Sequence, residues 1–262
     1  MLDLSSDIRN SLLVSVIQMN CRWNDEEANI REAERLMDSV EASQLYVLPE
    51  MWNTGFATHP ERLATTSRAI DWMKKAAAER DAAICGSVAV LDGGWRNRFV
   101  FAKPDGEISF YDKRHLFPLG GESENYESGR ARIIIKYRGW RFKPLVCYDL
   151  RFPAWCRNDD DCDALLVVAN WPDTRIKAWD ILTQARAIEN QSFVIACNRC
   201  GDDPKNHYSG HSKIIAPSGE IIAEANMAQP TLHAEISKQQ IENTRSNLDV
   251  LSDRDKITIY TI

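Results

Sequence analysis

The segment from residue 162 to residue 198 constrains the fold more than any other part of the chain. It reads CDALLVVAN (162–170), then the helix-length stretch DTRIKAWDILTQARAIENQ (173–191), then SFVIACN (192–198). The two flanking runs are almost entirely apolar, which is typical of strands buried on both faces. The segment therefore predicts a layered α/β fold with buried central strands and helices outside. We expect Asp173 or Thr174 to cap the helix.

The rest of the chain alternates between strands and helices in the same way. Predicted strands cover 12–19, 44–51 and 82–90, and predicted helices cover 25–42 and 67–81. Turn signals at 104–106, 138–139 and 217–219 predict strand pairs over 95–113, 132–148 and 211–225. Residues 249–262 alternate apolar and polar positions, so they are predicted to form an extended arm that pairs with this chain or a neighbour. Because no linker-like stretch interrupts the pattern, we expect a single domain over residues 1–262.

Charge and cysteine usage exclude several classes of partner. The net charge is −6, and no run of Lys and Arg provides the phosphate contacts that a nucleic-acid binder needs. No apolar run approaches the roughly 20 residues needed to span a bilayer, so we expect no membrane partner. The N-terminus lacks the basic region of a signal peptide. The seven cysteines are an odd number, several of them within apolar runs, which favours reduced thiols and a cytoplasmic location.

Three ionisable residues lie where predicted strands end. Glu50 ends LYVLPE, Lys113 ends EISFYDK, and Cys147 ends the run LVC. In layered α/β folds, sites assemble at the carboxyl ends of strands. A carboxylate can take the proton of a thiol, and an ammonium can stabilise both the thiolate and an oxyanion. Taken singly, each residue is more often a rim or core residue, and spacing along the chain does not show that the three meet.

Three segments that contain these residues resemble a known family. LPEMWNTGF (48–56), YDKRHLFPLGGESENYESG (111–129) and LVCYDLRFP (145–153) are similar, in this order, to the signature segments of the nitrilase superfamily of carbon–nitrogen hydrolases. The resemblance extends from about residue 12 to about residue 235. It implies a four-layer α-β-β-α sandwich that assembles as a homodimer or higher homo-oligomer. Residues 236–262 would then be a C-terminal tail that packs at the dimer interface.

The resemblance also implies roles for individual residues. Cys147 would be the nucleophile, Glu50 the general base, and Lys113 and the backbone N–H of Tyr148 the groups that stabilise the oxyanion. Glu122 would be a fourth catalytic residue that positions Lys113, with Glu124 and Glu127 as rivals. The family mechanism needs no metal and no cofactor. Asp149 is expected to form a salt bridge or to cap the turn after the nucleophile, and His115 is expected to be structural.

Within the superfamily, CYDLRFP, YDKRHLF and NWP are most similar to the omega-amidase branch. This implies a small amide-bearing carboxylic acid as substrate, namely 2-oxoglutaramate or 2-oxosuccinamate. The candidates for holding its carboxylate are Arg151, Trp171 and Tyr126, followed by Lys177 and Arg199. Alternatives are an amidase for N-carbamoyl or deaminated-peptide substrates, a nitrilase, or a catalytically silent binding module. Cys197 and Cys200 have CxxC spacing, but they border a buried strand and we interpret them as core residues.

Overall fold

Two six-stranded sheets form the centre of the protein. We describe a computed structural model, which covers residues 10–60, 67–159, 161–227 and 230–259. In the first sheet the strands lie in the order β14-β1-β2-β3-β4-β5. These strands are β1 (Ser11–Ile17), β2 (Leu45–Val47), β3 (Ala83–Leu91), β4 (Trp95–Ala102), β5 (Ile108–Asp112) and β14 (Thr231–Ser237). β1, β2 and β3 run parallel, and the remaining pairs are antiparallel.

The second sheet has the order β13-β12-β9-β8-β7-β6. Its strands are β6 (Ile135–Tyr137), β7 (Trp140–Val146), β8 (Ala164–Ala169), β9 (Phe193–Asn198), β12 (Lys213–Ile215) and β13 (Ile221–Glu224). β7, β8 and β9 are parallel. A separate hairpin pairs β10 (Cys200–Asp202) with β11 (His207–Ser209).

Helices lie outside the sheets. The described helices are α1 (Glu26–Asp38), α2 (Ser67–Arg80), α3 (Glu122–Asn125), α4 (Pro153–Cys156), α5 (Ile176–Asn190) and α6 (Lys238–Asn247). Asp25 caps α1 by accepting a 3.0 Å hydrogen bond from the backbone N–H of Ala28. Among the described residues, no helix has both the length and the apolarity that crossing a bilayer requires.

Two apolar clusters define the layers. In one cluster, Leu36 of α1 and Met73 of α2 pack against Tyr46 and Ile84 of the first sheet. The larger cluster joins inward-facing residues of both sheets, among them Val16, Phe101, Leu165 and Ile195, and it continues to Trp179 and Ala187 of α5. The order is therefore helix, sheet, sheet, helix, and the predicted four-layer α-β-β-α sandwich is confirmed.

The start of α5 differs from the prediction. Asp173–Arg175 form a short 3-10 turn, and α5 begins only at Ile176. Neither Asp173 nor Thr174 caps α5, because the residue before its first turn is Arg175, whose side chain makes no capping hydrogen bond. The backbone oxygen of Arg175 instead accepts a 2.9 Å hydrogen bond from Nε1 of Trp171, which fixes the chain before α5 begins.

The C-terminal region contains two elements that were not predicted from the sequence, β14 and α6. α6 lies within the segment 236–262 that we expected to pack at a dimer interface, and that packing stays a prediction. Ile241 of α6 is buried in the larger core cluster. Residues 250–253 form turns, and residues 254–259 make no strand with this chain. The remainder of the expected arm, 260–262, lies outside the described residues.

Candidate active site

Strand ends from both sheets meet at one place. Glu50 lies three residues beyond β2, and Lys113 directly follows β5 of the same sheet. Cys147 directly follows β7, and Asn170 directly follows β8 of the other sheet. Because the parallel strands end at the same edge, side chains from four distant segments come together there.

Lys113 lies between two carboxylates. Its Nζ atom is 2.8 Å from Oε1 of Glu50 and 2.8 Å from Oε2 of Glu122, and the side chains of all three residues are fully buried. The sequence left Glu124 and Glu127 as rivals of Glu122. Glu124 is exposed, and Glu127 pairs with Arg96 at the surface.

Close backbone packing holds Lys113 in position. Its N–H donates to the carbonyl oxygen of Asn97 (2.9 Å), and its own carbonyl oxygen accepts from the N–H of Gly129 (2.8 Å). A Cβ atom at position 129 would lie 1.9 Å from the carbonyl oxygen of Asp112, so only glycine allows the chain to return this close. The loop 114–129 is thereby closed directly onto the end of β5.

Asn97 on β4 connects the two carboxylates. Its Nδ2 atom donates to Oε1 of Glu50 and to Oε1 of Glu122, both at 2.8 Å. Its Oδ1 atom accepts a 2.8 Å bond from Oγ of Ser87, and this Oγ accepts a 2.9 Å bond from the N–H of Met51. This chain of donors fixes the orientation of the Asn97 amide.

Asn170 holds the other side of Glu50. The backbone N–H of Asn170 donates to Oε2 of Glu50 at 2.9 Å, and its Nδ2 atom donates to the carbonyl oxygen of Glu50 at 2.7 Å. A carbonyl oxygen only accepts, so the Asn170 amide cannot be reversed. Glu50 therefore receives hydrogen bonds from both sheets, which fixes its carboxylate.

Burial and charge act against each other in this cluster. Burial disfavours the charge on Lys113, but the carboxylates of Glu122 and Glu50 outweigh it and raise the pKa of Lys113 above its usual value. Burial raises the pKa of Glu122, and the Lys113 ammonium only partly opposes this rise. Lys113 is therefore permanently charged near neutral pH, between two carboxylates that differ in environment.

Cys147 lies at a sharp turn. Its φ is +47°, a left-handed conformation that a residue with a Cβ rarely adopts. Val146 ends β7, and a 3-10 turn runs from Cys147 to Arg151. The backbone N–H of Tyr148, near the start of this turn, is at a position that has no partner within the turn. Such a donor beside the sulfur is suited to binding an oxyanion.

The surroundings of Cys147 favour the protonated thiol. Burial of the sulfur raises its pKa well above the usual range, the negative charge of Glu50 raises it further, and Lys113 opposes the rise. Glu50 is close enough to the sulfur for the charge of its carboxylate to act on the thiol. The carboxylate is thus placed to remove the proton of Cys147, and the sulfur needs this removal in order to react.

Asp149 supports the turn that carries Cys147. Its Oδ2 atom accepts from the N–H of Val146 (3.0 Å) and from the hydroxyl of Tyr111 (2.7 Å). Its Oδ1 atom accepts from the N–H of His115 (2.9 Å) and lies 2.8 Å from Nδ1 of the same residue. The His115 ring stacks on Phe152 at 3.6 Å. Asp149 and His115 therefore both stabilise the turn that carries Cys147.

A cavity of about 560 Å³ opens onto Cys147. Its lining includes Tyr148, Arg151, Asn170, Trp171 and Arg175. The two polar atoms of the Asn170 side chain differ, because Nδ2 is bonded to Glu50 whereas Oδ1 has no protein partner among the described residues. Arg151 and Trp171 thus lie where the sequence suggested a substrate.

Three other suggested substrate residues lie elsewhere. Tyr126 is buried and donates its hydroxyl to the carbonyl oxygen of Ala57 (2.7 Å), so it supports a cavity wall from behind. Lys177 is exposed on α5 and is not part of the lining. Arg199 is fully buried, where Nη2 donates to the carbonyl oxygens of Cys21 and Asp202 (both 2.9 Å).

Sequence reasoning missed Asn97, Asn170 and Arg175. The NWP stretch was noted only as part of a resemblance, and Arg175 was read as part of a helix. The CxxC cysteines are core residues, as interpreted: the thiols of Cys197 and Cys200 are free and contact the carbonyl oxygens of Ile17 (3.4 Å) and Gln18 (3.5 Å).

Comparison with known proteins agrees with this architecture. Residues 13–246 match the family model of the carbon–nitrogen hydrolases. The chain is 43% identical over 254 residues to the omega-amidase YafV of Yersinia enterocolitica, covering 95% of this chain and 99% of that protein. It is 34% identical to the 2-oxoglutaramate amidase of Bacillus subtilis, covering 92% and 96%. A crystal structure of a CN-hydrolase superfamily protein from Xanthomonas campestris superposes with a TM-score of 0.92 at 37% identity, covering 96% and 100%.

Proposed function

The chain belongs to the carbon–nitrogen hydrolase family, and we propose that it is an omega-amidase that cleaves the terminal amide of 2-oxoglutaramate or 2-oxosuccinamate. The products are the corresponding dicarboxylate and ammonia. The observation that carries the proposal is the buried Glu50–Lys113 pair, whose charges both act on the thiol of Cys147 at the wall of a cavity.

The first half of the reaction forms a thioester. The Cys147 proton passes to Glu50 while the sulfur attacks the amide carbon, so a C–S bond forms and the carbonyl oxygen gains negative charge. The Lys113 ammonium and the backbone N–H of Tyr148 stabilise this oxyanion. When the intermediate collapses, the C–N bond breaks, and ammonia leaves with the proton that Glu50 had taken.

The second half returns the enzyme to its starting state. Glu50 takes a proton from a water molecule, and the resulting hydroxide attacks the thioester carbon. The C–S bond breaks, the carboxylic acid is released, and the sulfur regains its proton from Glu50. Glu122 acts as a positioning residue throughout, because its carboxylate holds Nζ of Lys113 at 2.8 Å.

Substrate comparison tests the proposal. Ammonia release from 2-oxoglutaramate and 2-oxosuccinamate is measured beside an aliphatic nitrile, an N-carbamoyl amino acid and a deaminated peptide amide. We expect the highest kcat/KM for the two 2-oxo acid monoamides. A higher kcat/KM for any of the other substrates would assign the chain to a different branch. Turnover of none of them, at the same protein concentration, would favour a silent binding module.

We also propose that the protein acts as a cytoplasmic homodimer. Ile181 and Ile188 lie two turns apart on α5 and are more than half exposed, at 57% and 52%, and this supports a second copy covering that face. The seven free cysteines support a reducing compartment. Analytical ultracentrifugation of the protein and of an Ile181→Glu, Ile188→Glu variant tests the dimer. A monomer at micromolar concentration in both would contradict it.

A further inference from the structure

Two arginines without acidic partners line the cavity that contains Cys147. Arg151 lies over the ring of Trp171 with Cζ 4.9 Å from the centroid, and Arg175 lies over the ring of Phe117 at 5.2 Å. Neither guanidinium forms an ion pair within the part of the chain that the structure describes. By contrast, an arginine such as Arg98 is paired with a carboxylate, that of Asp112 at 2.7 Å.

The backbone of Arg175 is fixed relative to the catalytic cluster. Its N–H donates to the carbonyl oxygen of Pro172 (3.0 Å), and its carbonyl oxygen accepts from Nε1 of Trp171 (2.9 Å). The ring beneath its guanidinium belongs to Phe117, whose N–H donates to Oε2 of Glu122 at 2.7 Å. The guanidinium of Arg175 therefore packs on Phe117, whose backbone N–H is hydrogen-bonded to the carboxylate that holds Lys113.

The other charges of the lining leave the cavity positive. Lys205 adds a third cation, and Asp203 is the one acidic residue among the described residues that line the cavity. Although burial opposes its charge, hydrogen bonds from Tyr208 and two backbone N–H groups lower the pKa of Asp203, so it is ionised. These bonds occupy its oxygens, and Asp203 does not pair with either arginine.

We propose that Arg175 is a specificity-determining residue that, together with Arg151, receives the substrate carboxylate and repels an α-ammonium group. The inference rests on the proposed amidase function and deepens it. A guanidinium binds a carboxylate through charge-assisted, often bidentate hydrogen bonds. Two uncompensated guanidinium groups would favour the monoamide of a 2-oxo acid over glutamine, which has the same amide and carboxylate but carries an ammonium group in place of the 2-oxo oxygen.

The test compares three substrates in Arg175→Gln, with Lys177→Gln on the exposed face of α5 as the matched control. For 2-oxoglutaramate we expect Arg175→Gln to lower kcat/KM about 10- to 100-fold, mainly through KM. For valeramide, which lacks the carboxylate, we expect a change of about twofold or less. The preference for 2-oxoglutaramate over glutamine should fall at least about tenfold. Arg175→Lys keeps the charge without the planar fork and should lie between the two.

A binding measurement gives a readout independent of turnover. The product 2-oxoglutarate should bind Arg175→Gln about 10- to 100-fold more weakly by calorimetry, and its affinity for Lys177→Gln should match that of the unmodified protein. Equal losses on 2-oxoglutaramate and valeramide, or unchanged affinity for 2-oxoglutarate, would overturn the inference. Failure of the proposed function looks different: the unmodified protein would then turn over other amides but neither 2-oxo acid monoamide.

Discussion

Nζ of Lys113 lies 2.8 Å from Oε1 of Glu50, and neither side chain has any exposed surface. A second carboxylate, that of Glu122, holds the same ammonium from another side. In a buried site, the loss of one charged partner leaves the other uncompensated, and this costs more than the loss of an exposed ion pair.

Replacing Lys113 by methionine should therefore destabilise the fold strongly. We expect the free energy of unfolding at pH 7.5 to fall by about 3–5 kcal/mol, as measured by urea denaturation. Because burial already raises the pKa of Glu122, loss of the ammonium raises it further, and protonation at lower pH relieves the repulsion. The deficit should therefore shrink between pH 7.5 and pH 5. In the unmodified protein, the raised pKa of Lys113 keeps its stabilisation fully present below pH 10.5.

Lys103→Met is the matched control for this effect. Lys103 forms a surface pair with Glu107 at 2.7 Å, with Glu107 57% exposed. We expect a loss of no more than about 1 kcal/mol, with little dependence on pH. A comparable loss for both lysine variants would show that burial does not set the energy of the Lys113 site.

The left-handed backbone at Cys147 predicts an unusual order of stability. Glycine tolerates φ of +47° without strain, whereas alanine does not. Cys147→Gly should therefore be more stable than Cys147→Ala by about 1 kcal/mol in thermal unfolding. At Cys85, which lies within β3, the order should be reversed because glycine weakens a strand interior. The same order at both positions would contradict the strain at the turn.

Cys147→Ala should also abolish turnover. Without the sulfur no thioester forms, and we expect kcat to fall by a factor on the order of 10³ or more. Acid-quenched mass spectrometry of the unmodified protein during turnover should show the acyl adduct on the peptide that contains Cys147. The control is Cys156→Ala, at a buried thiol in α4. An adduct that persists in Cys147→Ala would assign the nucleophile to another residue.

Asn97 should act through the two carboxylates that it connects. Its amide lowers the pKa of Glu122, so Asn97→Ala should move the acid limb of the kcat profile to higher pH. It should also lower the free energy of unfolding by about 1–3 kcal/mol. Asn125→Ala, which loses a bond to the carbonyl oxygen of Thr58, should leave the pH profile unchanged. A loss of stability with no shift of the acid limb would assign Asn97 a purely structural role.

Local sequence signals were sufficient to find the strands that lead to the site, although β2 ends three residues before Glu50. Glu50, Lys113 and Cys147 follow apolar runs whose limits can be read along the chain, and the turn residues located the hairpins. The roles of Asn97 and Asn170 could not be found in this way, because they depend on which strands become neighbours. β14 likewise gains its place by pairing with β1 across more than two hundred residues. No local sequence pattern predicts that β14 pairs with β1.

Arg175 and Tyr126 show a different limit. The choice between a cavity-facing and a supporting side chain depends on details of packing that differ between neighbouring residues. Tyr126 is two residues away from exposed Glu124, yet it is buried and its hydroxyl donates to the carbonyl oxygen of Ala57. Among arginines the sequence proposed Arg151 and Arg199, but Arg199 is buried on backbone carbonyl oxygens whereas Arg175 lines the cavity.

The carboxylate of Glu50 accepts hydrogen bonds from both sheets. Asn97 and Lys113 belong to the first sheet, and Asn170 follows a strand of the second. If one sheet slid past the other by about one ångström, these hydrogen bonds would be lost while most of the apolar interface stayed buried. The catalytic rate should therefore depend strongly on the alignment of the two sheets. As temperature or denaturant concentration rises, we expect activity to be lost before tryptophan fluorescence shows global unfolding.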